Sequence, residues 1–224
     1  RDVAPSRGLG DVYKRQEPTA ASPRYTGPVE IGKSARFRAT ALREGGENAS
    51  YSREFAFSKS TGRPAVLNTK PNDSYTFEGA SLLVDGYHSR PVFTSGAWLG
   101  YLDEPLDVTI DMGGEQSYRS VELETLAEKG DWIFPPSSVT VWVSDNGTDF
   151  TEVASVAVPE AKAGDADGIG RYRMQFPETS ARYLKVVAQN AAAIPAWHPG
   201  AGSKGFLFVD EVVVEYCLLY TSPS

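Results

Sequence analysis

The run V-T-V-W-V-S-D-N-G-T-D-F at residues 139–150 decides the fold. Val139, Val141 and Val143 alternate with Thr140 and Trp142, and a side-chain period of two is that of a strand with one buried face. Asp145-Asn146-Gly147 is a strong turn signal, and Phe150 to Val158 returns along the first strand as a β-hairpin. The alternation recurs outward from this hairpin. Leu106, Val108, Ile110 and Met112 alternate with Asp107, Thr109 and Asp111, and Val121, Leu123 and Thr125 alternate with Ser120, Glu122 and Glu124. On the other side Tyr172 to Phe176, Tyr183 to Ala188 and Phe206 to Tyr216 supply closing strands, separated by turn-rich loops at sandwich spacing. Strands never alternate with long amphipathic helices, so residues 73–216 read as one antiparallel, jelly-roll-like β-sandwich.

Upstream the pattern is poorer. Pro18, Pro23, Gly27 and Pro28 punctuate a short strand, then Ala35, Phe37, Ala39 and Ala41 alternate with Arg36, Arg38 and Thr40. After a turn at Glu44 to Glu47, Tyr51, Arg53, Phe55 and Phe57 mark a third strand, so residues 17–57 look like half of a small β-domain. Residues 58–72 lack periodicity and read as a linker with an extended stretch at Pro64 to Leu67. The two ends differ from everything between them. Residues 1–16, ending D-V-Y-K-R-Q, and residues 217–224, C-L-L-Y-T-S-P-S, resemble translated sequencing-adapter read-through and are set aside, and with them Cys217, the one cysteine.

The charge of −7 is acidic, and Lys and Arg are scattered rather than striped, which argues against nucleic acid or an anionic membrane as partners. Catalysis finds no footing. The two histidines, His88 and His198, have no H-E-x-x-H or G-x-S-x-G context, and no glycine-rich phosphate loop follows a strand. Glu122 and Glu124 are expected on the solvent face of their strand, as solubilising charge rather than a glycosidase pair.

Sugars are recognised by an aromatic ring laid on the C–H face of the pyranose, with polar side chains on the hydroxyls. Trp197-His198 in a Gly/Pro-rich loop, Trp132 beside Gly130 and Asp131, and Tyr87-His88 offer such combinations. Two readings stand at this point. Trp132 and Trp197 either present exposed platforms or plug the ends of the sandwich, with His198 capping a backbone carbonyl.

Several segments carry a family resemblance. L-V-D-G at Leu83 to Gly86, W-L-G-Y at Trp98 to Tyr101, V-W-V-S-D-N-G-T-D-F at Val141 to Phe150, A-R-Y-L-K-V at Ala181 to Val186 and F-L-F-V-D-E-V-V-V at Phe206 to Val214 resemble a discoidin domain. This is the factor five/eight type C, galactose-binding-like family. P-A-W-H-P-G-A-G-S-K at Pro195 to Lys204 and W-I-F-P-P at Trp132 to Pro136 are similar to a narrower subset, at the C-terminus of bacterial β-N-acetylhexosaminidases of glycoside hydrolase family twenty. Residues 17–57, with E-P-T and Y-T-G-P, resemble a truncated chitobiase/hexosaminidase C-terminal β-domain, an incomplete immunoglobulin-like fold.

The resemblance implies a non-catalytic carbohydrate-binding accessory module of an enzyme that is secreted, periplasmic or on the cell surface of a bacterium. The implied partners are a weakly held glycan, an amino sugar or galactoside, and the catalytic TIM barrel elsewhere in the parent protein. The alternative is a structural module that packs on that barrel with no ligand of its own. The family also implies a structural Ca²⁺, for which Asp85, Ser95 and Glu211 are the ligands by position. Tyr87-His88-Ser89 departs from the family where an additional Asp or Asn is common. Without the ion, Asp85 would make the Asp-Gly turn and Glu211 would be a solvated strand residue.

Overall fold

The computed structural model describes residues 17–43 and 48–215. The terminal stretches set aside above and the turn at Glu44 to Glu47 lie outside them. The described residues divide between Phe57 and Ser58 into two units.

Among its described residues the first unit has one antiparallel pair, β1 (Ala35–Ala41) and β2 (Ala49–Phe55), rather than three strands. Its register sets Phe37 opposite Arg53 and Ala39 opposite Tyr51 on one face, and Arg36 opposite Glu54 and Thr40 opposite Ser50 on the other. The second face is polar, with an Arg36–Glu54 ion pair at 2.7 Å and a Thr40–Ser50 hydroxyl contact at 3.0 Å. The first is apolar apart from Arg53 and lines a groove of about 490 Å³ with Tyr25, Val29, Phe37, Tyr51 and Phe55. Two strands alone are marginal in water, because only one side of each backbone ladder is paired.

The second unit holds seven strands: β3 (Ala65–Leu67), β4 (Leu99–Tyr101), β5 (Leu106–Ala127), β6 (Ser138–Ser144), β7 (Thr151–Ala157), β8 (Gly168–Gln189) and β9 (Leu207–Val214). Their order is β4-β9-β5-β8-β6-β7, with β3 added on β5, and every pairing between them is antiparallel. β5 and β8 each run for 22 residues and span both layers of the sandwich. The β5–β8 register slips between Asp111 and Gln116, where Gly113 takes φ 80°, and again between Tyr118 and Ser120. Such bulges bend and twist long strands, which lets one ladder fold over its own apolar face. Inside lie Leu106, Val108, Ile110, Leu123, Val139, Val141, Leu184, Val186, Val209 and Val212, all with no exposed surface. Burying each such side chain is worth about 1.5–3 kcal/mol.

Two sequence expectations are corrected. Residues 58–72 are no linker. Ser58 and Ser60 are buried, the Ser60 hydroxyl donates to the Val212 carbonyl at 2.6 Å, the Lys59 N–H donates to Val214 O at 2.8 Å, and β3 adds to β5. A three-residue strand whose partner lies some forty positions away leaves no periodic trace, and the serines are buried because backbone groups satisfy them. Glu124 is not on a solvent face either. It is fully buried, because β5 is covered on both sides from Leu123 to Leu126. The covering chain between β3 and β5 carries β4 and three short 3-10 helices, at Asp73–Tyr75, Gly79–Val84 and Phe93–Ser95.

Candidate functional site

The loop that leaves β5 closes on itself. Glu128 and Ile133 exchange backbone hydrogen bonds at 3.1 and 3.2 Å around a single 3-10 turn, Lys129–Asp131. The turn ends with Trp132 in the left-handed region, φ 64°, an uncommon conformation for a large side chain. The loop before β9 holds it there. Phe206 donates to Trp132 O at 2.8 Å, and Gly200 lies under the indole so closely that an added Cβ would sit 2.8 Å from the ring. Only glycine permits that approach. Trp132 remains 42% exposed.

His198 stands between Trp132 and Trp197. Its centroid lies 6.0 Å from Trp132 and 5.6 Å from Trp197, with both contacts edge-to-face, and Phe134 packs on it at 5.5 Å. The Gly200 N–H donates to Nδ1 at 3.0 Å, which leaves the proton on Nε2 for the Lys129 carbonyl at 2.9 Å. His198 is 9% exposed and both nitrogens are engaged, so the expectation that it binds a sugar hydroxyl is corrected. It ties the 129–132 loop to the 195–204 loop and props up both indoles. Trp197 is 39% exposed and anchored by Nε1–H to Ala161 O at 2.9 Å. Beside it Phe134, Pro135, Ala161, Ile194 and Pro195 line a cleft of about 330 Å³. The site thus offers two partly exposed indoles, each packed edge-to-face with the buried His198.

Tyr87 and His88 belong to a different cluster. The 85–89 loop lies over β5 and β9 on buried carboxylates. The Gly86 N–H donates to Glu211 Oε1 at 3.1 Å, the Ser89 N–H donates to Asp210 Oδ2 at 2.8 Å, and His88 Nδ1 sits 2.9 Å from Glu124 Oε1. Arg171 Nε reaches the same Glu124 oxygen at 2.5 Å. Burial pushes Glu124 up, but the hydrogen bonds and charges of His88 and Arg171 outweigh it and hold the carboxyl below its ordinary range. Asp210 and Glu211 have no such cation. Burial, and then the charge of Asp85 among others, pushes Asp210 up to about 8 and Glu211 up to about 10.

The sequence reading missed Glu124, Arg171 and Asp210. Asp210 had left a trace, an Asp-Glu pair inside the apolar run of β9, whose eight residues are all buried. Glu211 is therefore not a solvated strand residue. Its Oε2 is buried with no hydrogen-bond partner, and Asp85 and Asp210 raise its affinity for positive charge. This donor set suits a hard, oxygen-seeking cation. Asp85 and Ser95 are both exposed, unlike Glu211, and Asp85 Oδ1 accepts the Tyr87 N–H at 2.6 Å, so neither is enclosed with Glu211 in a ligand shell. Among the described residues no three ligating side chains converge, so backbone carbonyls would have to supply most of any shell.

The family model described as the F5/8 type C domain matches residues 68–204, from just after β3 to the loop before β9. The chain belongs to that family. Both loops that carry the tryptophans of this F5/8 type C domain fall within the match, and β9, which pairs with β4 and β5, lies beyond it. Among curated proteins no sequence matches the chain. Solved structures similar to it include CpGH89CBM32-5 from Clostridium perfringens in complex with GalNAc-β-1,3-galactose, 16% identical with a TM-score of 0.47 over 71% of this chain and 99% of that one. A fucose binding module of Streptococcus pneumoniae is 21% identical, with a TM-score of 0.44 over 71% and 95% of the two chains. Chitosan-binding module 2 of a Paenibacillus sp. IK-5 chitosanase/glucanase, in complex with chitotriose, is 17% identical, with a TM-score of 0.45 over 70% and 98%.

Proposed function

We propose that this F5/8 type C domain is a non-catalytic carbohydrate-binding module and that its ligand lies on Trp132 and Trp197. One observation carries the reading: two half-exposed indoles in separate loops are held about a single buried histidine that does nothing but brace them. Fixing two large apolar rings at the surface costs solvation and, at Trp132, a left-handed backbone. A ligand that stacks on them accounts for both.

The parent protein in this reading is a bacterial β-N-acetylhexosaminidase that works outside the cytoplasm, and residues 17–57 are part of the β-domain before the module. The motifs at Trp132 to Pro136 and Pro195 to Lys204 support that assignment. The module raises the effective concentration of enzyme on a glycan substrate, for which weak affinity suffices. Asp85 and Glu211, with backbone carbonyls, would hold a structural Ca²⁺ that offsets the buried negative charge. A glycan array probed with the whole chain tests the reading. Wild-type protein is expected to mark amino-sugar or galactoside glycans and Trp197→Ala to lose that signal. Equal silence from both proteins would remove the basis for a binding module.

A further inference from the structure

Phe77 repeats the signature of Trp132 on the segment that covers β5 and β9. Among the described residues three other than glycine have a left-handed backbone: Trp132, Glu215 and Phe77, the last at φ 40°. Phe77 stands at the tip of a turn between the first two 3-10 helices, closed by the Gly79 N–H donating to Thr76 O at 2.8 Å, with Glu78 at φ −84° and ψ 4°. A tight turn with positive φ at its first central residue favours glycine there. The residue is instead a phenylalanine, 47% exposed. Like the Trp132 indole, its ring lies against a glycine: an added Cβ on Gly96 would meet the ring at 3.6 Å. Its inner side meets Tyr75 at 6.4 Å, and Tyr75 packs on Phe93 at 6.2 Å and on the buried Phe208 at 4.8 Å. Phe77 is thus the outermost ring of an aromatic stack rooted in the core, fixed in place at the cost of solvation and of a strained backbone. Val92, also 47% exposed, opens the 3-10 helix that Gly96 ends.

We infer that Phe77 is a second carbohydrate contact, independent of the Trp132–Trp197 surface, that takes the C–H face of one pyranose unit. It rests on the reading of this domain as a glycan binder, not on the place of the tryptophan site. Size decides the occupant. A half-exposed phenyl side chain offers on the order of 100 Å² and Val92 less, against about 800 Å² that each partner buries in a stable protein contact. A second copy of the chain therefore finds too little apolar surface here, whereas one sugar face is a match. The charge of −7 opposes an anionic membrane. Glu78, Arg90, Thr94 and Ser95, all exposed in the two loops that carry Phe77 and Gly96, supply hydrogen-bonding groups for the hydroxyls at the rim of the sugar. A second weak contact gives the module another point of attachment to a polymeric glycan.

The test is an NMR titration of the whole chain with methyl β-galactoside and with methyl β-N-acetylglucosaminide. In wild type, at least one of the two sugars is expected to shift the Phe77 ring protons and the Gly96 amide saturably, as well as the indole signals of Trp132 and Trp197. The Trp132→Ala/Trp197→Ala double variant should keep the Phe77 and Gly96 shifts, with a midpoint within about twofold of wild type, as independent sites require. Phe77→Gly, whose new residue accepts the left-handed backbone and so keeps the turn, should lose the Gly96 shift and keep those of the indoles. Sugar-dependent shifts at the indoles with none at Phe77 and Gly96 overturn the second contact and leave the tryptophan surface standing. Phe77 shifts that follow protein concentration rather than sugar assign the ring to a second copy of the chain and overturn it as well. If neither surface responds to either sugar, the second contact and the tryptophan site fall together.

Discussion

His198 is the residue on which the site turns. It looked like a ligand-binding group because it follows Trp197 in a loop of glycine and proline. Its two nitrogens are spent instead on Lys129 O and the Gly200 N–H. Residue types alone cannot separate these roles, since the same imidazole serves either, and only the neighbours it meets decide. His198→Ala leaves the buried Gly200 N–H unpaired, takes from the Lys129 carbonyl one of its two donors, the other being the Trp132 N–H, and unseats both indoles. We expect a loss of about 2–4 kcal/mol in denaturant unfolding, together with loss of binding. Gly200→Ala separates the two effects. The added methyl must displace the Trp132 ring, so glycan affinity should fall several-fold while stability falls by only about 1 kcal/mol.

The strands whose two faces differ were legible, and those covered on both sides were not. Val139, Val141 and Val143 announced β6, and the Asp145-Asn146-Gly147 turn announced β7, because each strand keeps one wet face. Around Glu124 that contrast fails, since the chain from Tyr75 to Trp98 packs over β5 and β9, and period-two logic places a buried carboxylate in water. β3 showed only as an extended stretch at Pro64 to Leu67, and three residues are too few to mark it as part of the sandwich.

The acids of β9 give a pH prediction. Asp210 and Glu211 titrate higher in the fold than in the unfolded chain, near 8 and 10 against about 4. Their protonated forms therefore stabilise the fold fully below about pH 4, and the benefit is lost as pH rises through 8 and on toward 10. In chelator, the urea midpoint should fall between about pH 5 and pH 8, and Asp210→Asn should flatten the fall. Ca²⁺ should restore the midpoint at the higher pH and change little at the lower.

At the scale of the whole molecule, the boundary moves. Ser58 to Leu67 belong to the sandwich through Ser60, Lys59 and β3, so the second unit begins at Ser58. A fragment of residues 58–216 should unfold in one cooperative transition. A fragment of residues 73–216 lacks β3 and exposes the Val212 and Val214 backbone, and it should unfold at clearly lower denaturant or aggregate through the bared edge of β5.

The claim that joins these scales is that Trp132 and Trp197 form one ligand surface braced from beneath. Calorimetric titration of the strongest glycan from the array into wild type, Trp132→Ala and Trp197→Ala tests it most directly. Both variants should stay folded, since each ring is about 40% exposed, and each alone should cost at least about 1 kcal/mol of binding. If either variant binds as wild type does, the two indoles do not share a ligand and the account fails at its centre.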